Sequence, residues 1–132
     1  MRHVFIVNPM AGKRNSVQHL LEQIRRLLPR NAYEAYPTTA AGDARRMALE
    51  AARVGDEVRI YACGGDGTLN EVVNGAAGFE NAAITNVPLG TGNDFLRIFG
   101  KEGRKQFARL ELLLEGPQAA MDLMDCNGLL GI

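Results

Sequence analysis

The stretch "VRIYACGGDGTLNEVVNG", residues 58 to 75, limits the possible folds more than any other part of the chain. Val58 to Cys63 is a short, mostly apolar run of the kind expected of a buried strand. A glycine-rich corner, "GGDGT", follows at once, and "TLNEVVNG" then reads as a helix. A strand that turns into a helix within a few residues is half of a βαβ unit.

The rest of the chain repeats this alternation. "HVFIV" (3 to 7) is a continuous apolar run ending at Asn8-Pro9, as expected of a strand covered on both faces. Asn15 or Ser16 can cap a helix whose stripe is Val17, Leu20, Leu21, Ile24, Leu27 and Leu28, with Pro29 as its stop. "AYEAY" (32 to 36) is a weaker strand. "AGDARRMALEAARVG" is a helix with Ala44, Met47, Ala48, Ala51 and Ala52 inward and Gly55 as terminator. "AAITNV" (82 to 87) is the next strand, and "FLRIFG" and "KQFARLELLLEG" read as helical. "AAMDLMDC" begins one more strand. Leu112, Leu113 and Leu114 are read as core. The pattern predicts a three-layer α/β fold, with a mostly parallel sheet and helices on both faces.

At 132 residues, with 46% hydrophobic and 23% charged content, the chain has the size and composition of one globular domain. Its 15 basic and 15 acidic residues cancel, so bulk charge predicts no nucleic-acid partner. Basic residues gather mildly at Arg25, Arg26 and Arg30, and again at Lys101, Arg104, Lys105 and Arg109. Such runs read as solvated helix faces or as contacts with an anionic surface. Cys63 and Cys126 form no CxxC and read as buried free thiols. No run approaches the ~18 apolar residues of a membrane span, and the first ten residues are a poor signal peptide, so a cytoplasmic location is expected.

In parallel α/β sheets, ligands sit in the loops at the carboxyl ends of the strands. Here these are "NPMAGKRN", "PTTAAGD", "GGDGT" and "PLGTGND". A purely structural reading of "GGDGT" has Gly64, Gly65 and Gly67 permitting a positive-φ turn, with Thr68 and Glu71 as a capping box. That reading leaves Asp66 unexplained. The other reading has a bare helix N-terminus taking phosphate oxygens, with Asp66 beside them through Mg²⁺. Asn8 is an Asx-turn former or a nucleotide contact. "NPMAGK" is not a Walker A loop, and neither "GTGNDF" nor "GDGTLN" completes a dinucleotide fingerprint. "PLGTGNDF" repeats the pattern of glycine, threonine and acid, with Thr91 and Asp94. Thr38 is a site residue or part of a helix start, and Lys13 is a phosphate contact or a solvated lysine. His3 and His19 have no partner pattern, and neither is given a catalytic role.

"NPMAGK", "GGDGTLNEVVNG" and "PLGTGNDFLR", in this order, resemble the catalytic region of the diacylglycerol kinase family. The likeness is to its bacterial lipid kinase branch, with sphingosine kinases and NAD kinases as relatives, and it covers essentially the whole chain. It implies a Rossmann-like nucleotide-binding domain and ATP-dependent phosphorylation of a lipid hydroxyl, with Mg²⁺. Carried across, the nucleotide-binding residues would be Asn8, Pro9, Met10, Ala11, Gly12, Thr38, Gly64, Gly65, Asp66, Gly67, Thr68, Leu69, Asn70, Glu71 and Thr91. Asp66 and Asp94 would be catalytic. Together with Asp122 they would form the acidic set around Mg²⁺.

The resemblance also implies a β-rich second domain after "MDLMDCNG", which is absent from residues 1–132. The chain is therefore expected to be the ATP-binding half of a lipid kinase, inactive alone, its lipid substrate met at a membrane surface by the full-length protein. The apolar "LLGI" can pair with another copy. Two other readings stay open: an NAD kinase-like enzyme with a soluble acceptor, and a non-catalytic nucleotide-binding module.

Overall fold

The computed structural model describes residues 1–12, 16–89, 110, 114, 124–126 and 129–131. Four strands, β1 (Arg2–Val7), β2 (Tyr33–Pro37), β3 (Val58–Gly64) and β4 (Ala82–Pro88), form one all-parallel sheet in the order β2-β1-β3-β4. Between them run α1 (Ser16–Leu27), α2 (Asp43–Arg53) and α3 (Asp66–Ala76). Two short strands, β5 (Met124–Cys126) and β6 (Leu129–Gly131), pair antiparallel.

The unbroken apolar runs are explained by burial on both faces. All seven residues of β3 are buried, and Val4 of β1 and Ile84 of β4 lie in register on either side of Ile60. Side chains on one face (Val4, Ile6, Val58, Ile60, Ala62) pack against α2 and α3 through Ala44, Ala48, Ala52, Leu69 and Val72. On the other face Phe5, Val7, Tyr61 and Cys63 meet Leu20 and Ile24 of α1, and Leu110. Phe5 stacks on Tyr61 with centroids 4.3 Å apart. Ala44, Ala48, Ala51 and Ala52 of α2 are buried, as the sequence pattern indicated, and α2 lies close against α3, where a Cβ on Gly75 would stand 3.0 Å from that of Ala48. Leu27 departs from the expected α1 stripe: it is 39% exposed, so the buried face is narrower than the run of leucines suggests.

The end of α2 shows how the chain accounts for its polar groups. Helix geometry leaves the last carbonyls without intrahelical donors. Arg2 donates to the Ala51 carbonyl at 2.5 Å, and Asn81 donates to Ala52 and Asp56, each at 2.8 Å. Arg2 is also paired with Glu34 at 3.2 Å and Asp56 at 3.1 Å. His3 bonds the Tyr61 hydroxyl at 2.8 Å, near the amino ends of the strands. Burial and the positive charge of Arg59 lower the His3 pKa, and burial raises that of Tyr61 to about 12. Cys63 is a free buried thiol, held protonated by burial. Leu114 packs partly buried against the α1-side core, in line with the core reading. Among the described residues no helix is long and apolar enough to cross a membrane.

Candidate functional site

From β1 the chain steps to β2 on one side, then returns across to β3 on the other. The carboxyl ends of β1 and β3 therefore flank a topological switch point, where such sheets leave a crevice. Asn8, just past β1, donates its N–H to the Cys63 carbonyl at 2.9 Å, which holds the two corners together. The Asn8 side chain accepts from Met10 N–H at 3.0 Å, so the Asx turn read from the sequence is present.

The β3–α3 corner differs from its expected geometry in two ways. Positive φ is found at Gly12, Gly42, Gly55 and Gly78, and not at Gly64, Gly65 or Gly67. Space is the constraint at Gly64, where a Cβ would stand 2.5 Å from Thr68 Oγ1 and 3.3 Å from Asn8 Cβ. Nor is there a capping box. The helix starts at Asp66 with Gly65 as N-cap and no side-chain cap, which places Thr68 inside the first turn, 6% exposed. Leu69 N–H closes the first turn onto the Gly65 carbonyl at 3.2 Å. Helix geometry leaves the N–H groups of Gly67 and Thr68 without intrahelical partners. A Cβ on Gly67 would meet nothing within 4 Å.

Beside this helix start is a cavity of about 190 Å³. Its walls come from three loops: Asn8 and Met10 after β1, Thr38 to Ala41 after β2, and Thr68 with Glu71 on α3. Thr38 is hung from the sheet by its N–H bond to the Val7 carbonyl at 2.8 Å. The loop beyond is folded by Asp43, whose carboxylate accepts from Thr39 N–H (2.7 Å), Thr39 Oγ1 (2.8 Å) and Ala40 N–H (3.0 Å). These bonds hold the Asp43 carboxyl near a pKa of about 2. Glu71 accepts from the N–H of Gly42. A larger hollow of about 250 Å³ lies on the α1 face between Ser16, His19, Gln23 and Val87 to Leu89. It gathers none of the expected phosphate-binding residues.

The structure thus brings Asn8, Met10, Thr38, Thr68 and Glu71 together around one cavity, with Gly64 packed behind it and Gly67 opening onto solvent. Asp66 is the first residue of α3. Gly12 is required by the backbone, since φ is +80° and a Cβ there would meet the Leu89 carbonyl oxygen at 2.0 Å. Leu69 is in the hydrophobic core and contributes no side chain to the cavity. Asn70 is exposed, and its carbonyl accepts from the Asn74 amide at 2.8 Å. Pro9 and Ala11 fill out the turn after β1, which an Ala11 N–H bond to the Asn8 carbonyl closes at 3.1 Å. Lys13, Thr91, Asp94 and Asp122 lie outside the described residues. Among those described, no three His, Cys, Asp or Glu side chains form a metal-sized group. Sequence reasoning missed Thr39 to Ala41 as cavity wall and Asp43 as the residue that folds them. The visible signal is an acid four positions after a threonine, a pattern that serves equally well as a helix start.

Comparison with known proteins agrees with this architecture. Residues 2–126 match the family described as the diacylglycerol kinase catalytic domain. A diacylglycerol kinase of Bacillus subtilis (strain 168) is 36% identical over 126 residues, covering 93% of this chain and 41% of the relative. One from Staphylococcus aureus (strain bovine RF122 / ET3-1) is 38% identical over 125 residues, covering 92% of this chain and 39% of the relative. The chain therefore spans about two fifths of the length of these relatives. A crystal structure of a diacylglycerol kinase from Bacillus anthracis str. Sterne superposes with a TM-score of 0.76 at 27% identity, over 98% of this chain and 45% of that one. A phosphate-loop protein solved in solution shares the fold, with a TM-score of 0.52 at 23% identity. A doubly covered parallel sheet, a bare helix start at its switch point and a match over nearly every residue lead to one assignment: the chain belongs to the diacylglycerol kinase catalytic domain family.

Proposed function

We propose that this chain is the ATP-binding part of a lipid kinase and that its nucleotide site is the cavity at Asn8, Thr38 and Thr68. The observation that carries the reading is the start of α3. It has no side-chain cap, its Gly67 faces open space, and it stands at the switch point of the sheet. A helix N-terminus of this kind attracts an anion by ~0.3–1 kcal/mol from its dipole, with charge-assisted N–H bonds in addition.

The residues present fit a polyphosphate. The N–H groups of Gly67 and Thr68 can donate to phosphate oxygens, and the missing Cβ of Gly67 leaves room for their approach. The Thr68 hydroxyl, at the cavity wall, supplies a further donor. Asp66 begins α3 next to these N–H groups. An acid beside phosphates needs a cation between them, and in this reading Asp66 would help to hold Mg²⁺ with Asp94 and Asp122. Bound Mg²⁺ supplies charge neutralisation at the phosphates, which is much of what phosphoryl transfer requires. The protein's own share is positioning and exclusion of water. That the acceptor is a lipid hydroxyl is supported by the relatives named diacylglycerol kinase.

Titration of the 132-residue chain with ATP, with and without Mg²⁺, tests the site by calorimetry. Binding that requires Mg²⁺ and disappears in Gly67→Val is expected. No heat with the unmodified chain would overturn the reading. The same chain is expected to transfer no phosphate from radiolabelled ATP to diacylglycerol in detergent micelles, because it spans only about two fifths of its relatives' length. Measurable transfer would show that it is a complete enzyme.

A further inference from the structure

The loop between β2 and α2 is held at two points by carboxylates from different helices. Asp43, on α2, accepts three hydrogen bonds from Thr39 and Ala40. Glu71, on the second turn of α3, accepts the Gly42 N–H from 29 positions along the chain. Gly42 itself has φ of +90° and is the N-cap of α2, a position with no side-chain cap of its own. The Gly42 amide therefore depends on Glu71 for an acceptor within the protein. The bond spans the gap between two helices and fixes where the wall from Thr38 to Ala41 stands relative to Thr68.

Family resemblance alone would set Glu71 among the groups that touch nucleotide. The geometry adds another role: we propose that Glu71 is also a positioning residue, which sets one wall of the ATP cavity by holding the Gly42 N–H. The proposal rests on reading that cavity as the ATP site. Charge favours it as well. A carboxylate facing polyphosphate is repelled, whereas one turned onto a backbone N–H makes a charge-assisted bond worth roughly tenfold or more in a local equilibrium. The wall is thereby placed before any ligand arrives, which lowers the ordering cost of binding.

Amide hydrogen exchange on the ligand-free 132-residue chain is the test, read together with ATP affinity. In Glu71→Ala the amides of Thr39, Ala40 and Gly42 should exchange about tenfold faster, while those of β3 keep their protection. Glu71→Gln retains an acceptor of the same reach and should restore slow exchange. Glu71→Asp keeps the charge but shortens the reach, and should behave like the alanine variant. If alanine also costs β3 its protection, the aspartate variant decides. ATP affinity should fall about tenfold in Glu71→Ala and Glu71→Asp and recover in Glu71→Gln. Exchange unchanged in both Glu71→Ala and Glu71→Asp would overturn the proposal, and an accompanying loss of ATP affinity would make Glu71 a ligand contact. If the unmodified chain binds no ATP, the cavity reading fails separately. Exchange at residues 39–42 then still shows whether Glu71 holds the loop.

Discussion

A Cβ placed on Gly64 would stand 2.5 Å from the Thr68 hydroxyl oxygen and 3.0 Å from its Cβ. The last residue of β3 and the first turn of α3 are therefore packed to the limit of a missing side chain. A Cβ on Gly67, three residues on, would meet nothing within 4 Å. Two glycines of one motif have opposite reasons to be there.

Alanine at the two positions should separate those reasons. Gly64→Ala forces Thr68 or Asn8 to move and should cost about 1–3 kcal/mol of stability, as overpacking does. Gly67→Ala lies in a helix, and removing a helical glycine should leave stability unchanged or raise it by up to about 1 kcal/mol. Its ATP affinity should nevertheless fall. Urea unfolding with ATP calorimetry measures both, and a Gly67→Ala protein that is less stable yet binds ATP normally would contradict the assignment.

Much of this corner was legible from residue order alone. Unbroken apolar runs at residues 3–7 and 58–63 required cover on both faces, and alternation with helices then required a parallel sheet. The loops that carry Asn8, Thr38 and Thr68 follow from that, because strand ends in such a sheet lie along one edge. Thr38 itself is singled out by the family resemblance, its loop reading equally well as a helix start. Packing across the sheet was not legible. The Thr-x-x-Glu spacing at Thr68 and Glu71 matches a capping box, but the fit of Thr68 against Gly64 makes it the third residue of the helix and turns Glu71 toward another loop. The wall from Thr39 to Ala41 depends on β2 lying beside β1 (His3 opposite Tyr33, Val7 opposite Pro37), a register no local pattern announces. Leu27 continues a leucine run yet faces solvent, since α1 buries a narrower stripe than composition suggests.

Asp43 gives the β2–α2 loop an acid limit. Its carboxyl is lowered from 3.8 to about 2 by hydrogen bonds from Thr39 N–H and Oγ1 and from Ala40 N–H, with Arg46 adding a smaller pull. A depressed pKa means that the folded form favours the ionised group. The contribution to the loop is fully present above about pH 3.8 and is lost as pH falls through about 2. The Asp43 carboxyl carbon, followed by NMR, should titrate well below the usual aspartate range, and loop order should loosen in the same window. Titration at an ordinary value would mean that the three bonds do not persist in solution.

Asn81 ties the amino end of β4 to the end of α2 through two donors, one to Ala52 and one to Asp56. Asn81→Ala would take a side-chain donor from the Ala52 and Asp56 carbonyls, leaving Ala52 its longer backbone bond from the Gly55 N–H at 3.3 Å, and should cost about 1–2 kcal/mol in urea unfolding. Because β4 is parallel to the other strands, its beginning lies at the far end of the sheet from the cavity. ATP affinity should therefore stay as it was. A binding defect at full stability would mean that α2 transmits strain to the loop at its other end.

Asn86 is the polar group least expected in this core. It is 1% exposed, and neither its amide nitrogen nor its amide oxygen has a partner among the described residues. Its place on β4 is opposite Ala62, two residues beyond Ile84, on the face that packs against α3. A buried amide left unpaired costs about 1–3 kcal/mol, and a β-branched apolar residue suits a strand position of this kind. Asn86→Val should raise stability by roughly 1 kcal/mol, read as a higher urea midpoint at unchanged slope. A lower midpoint would show that the carboxamide is satisfied in solution, by ordered water or by a residue outside those described. In that case its burial would stabilise the domain.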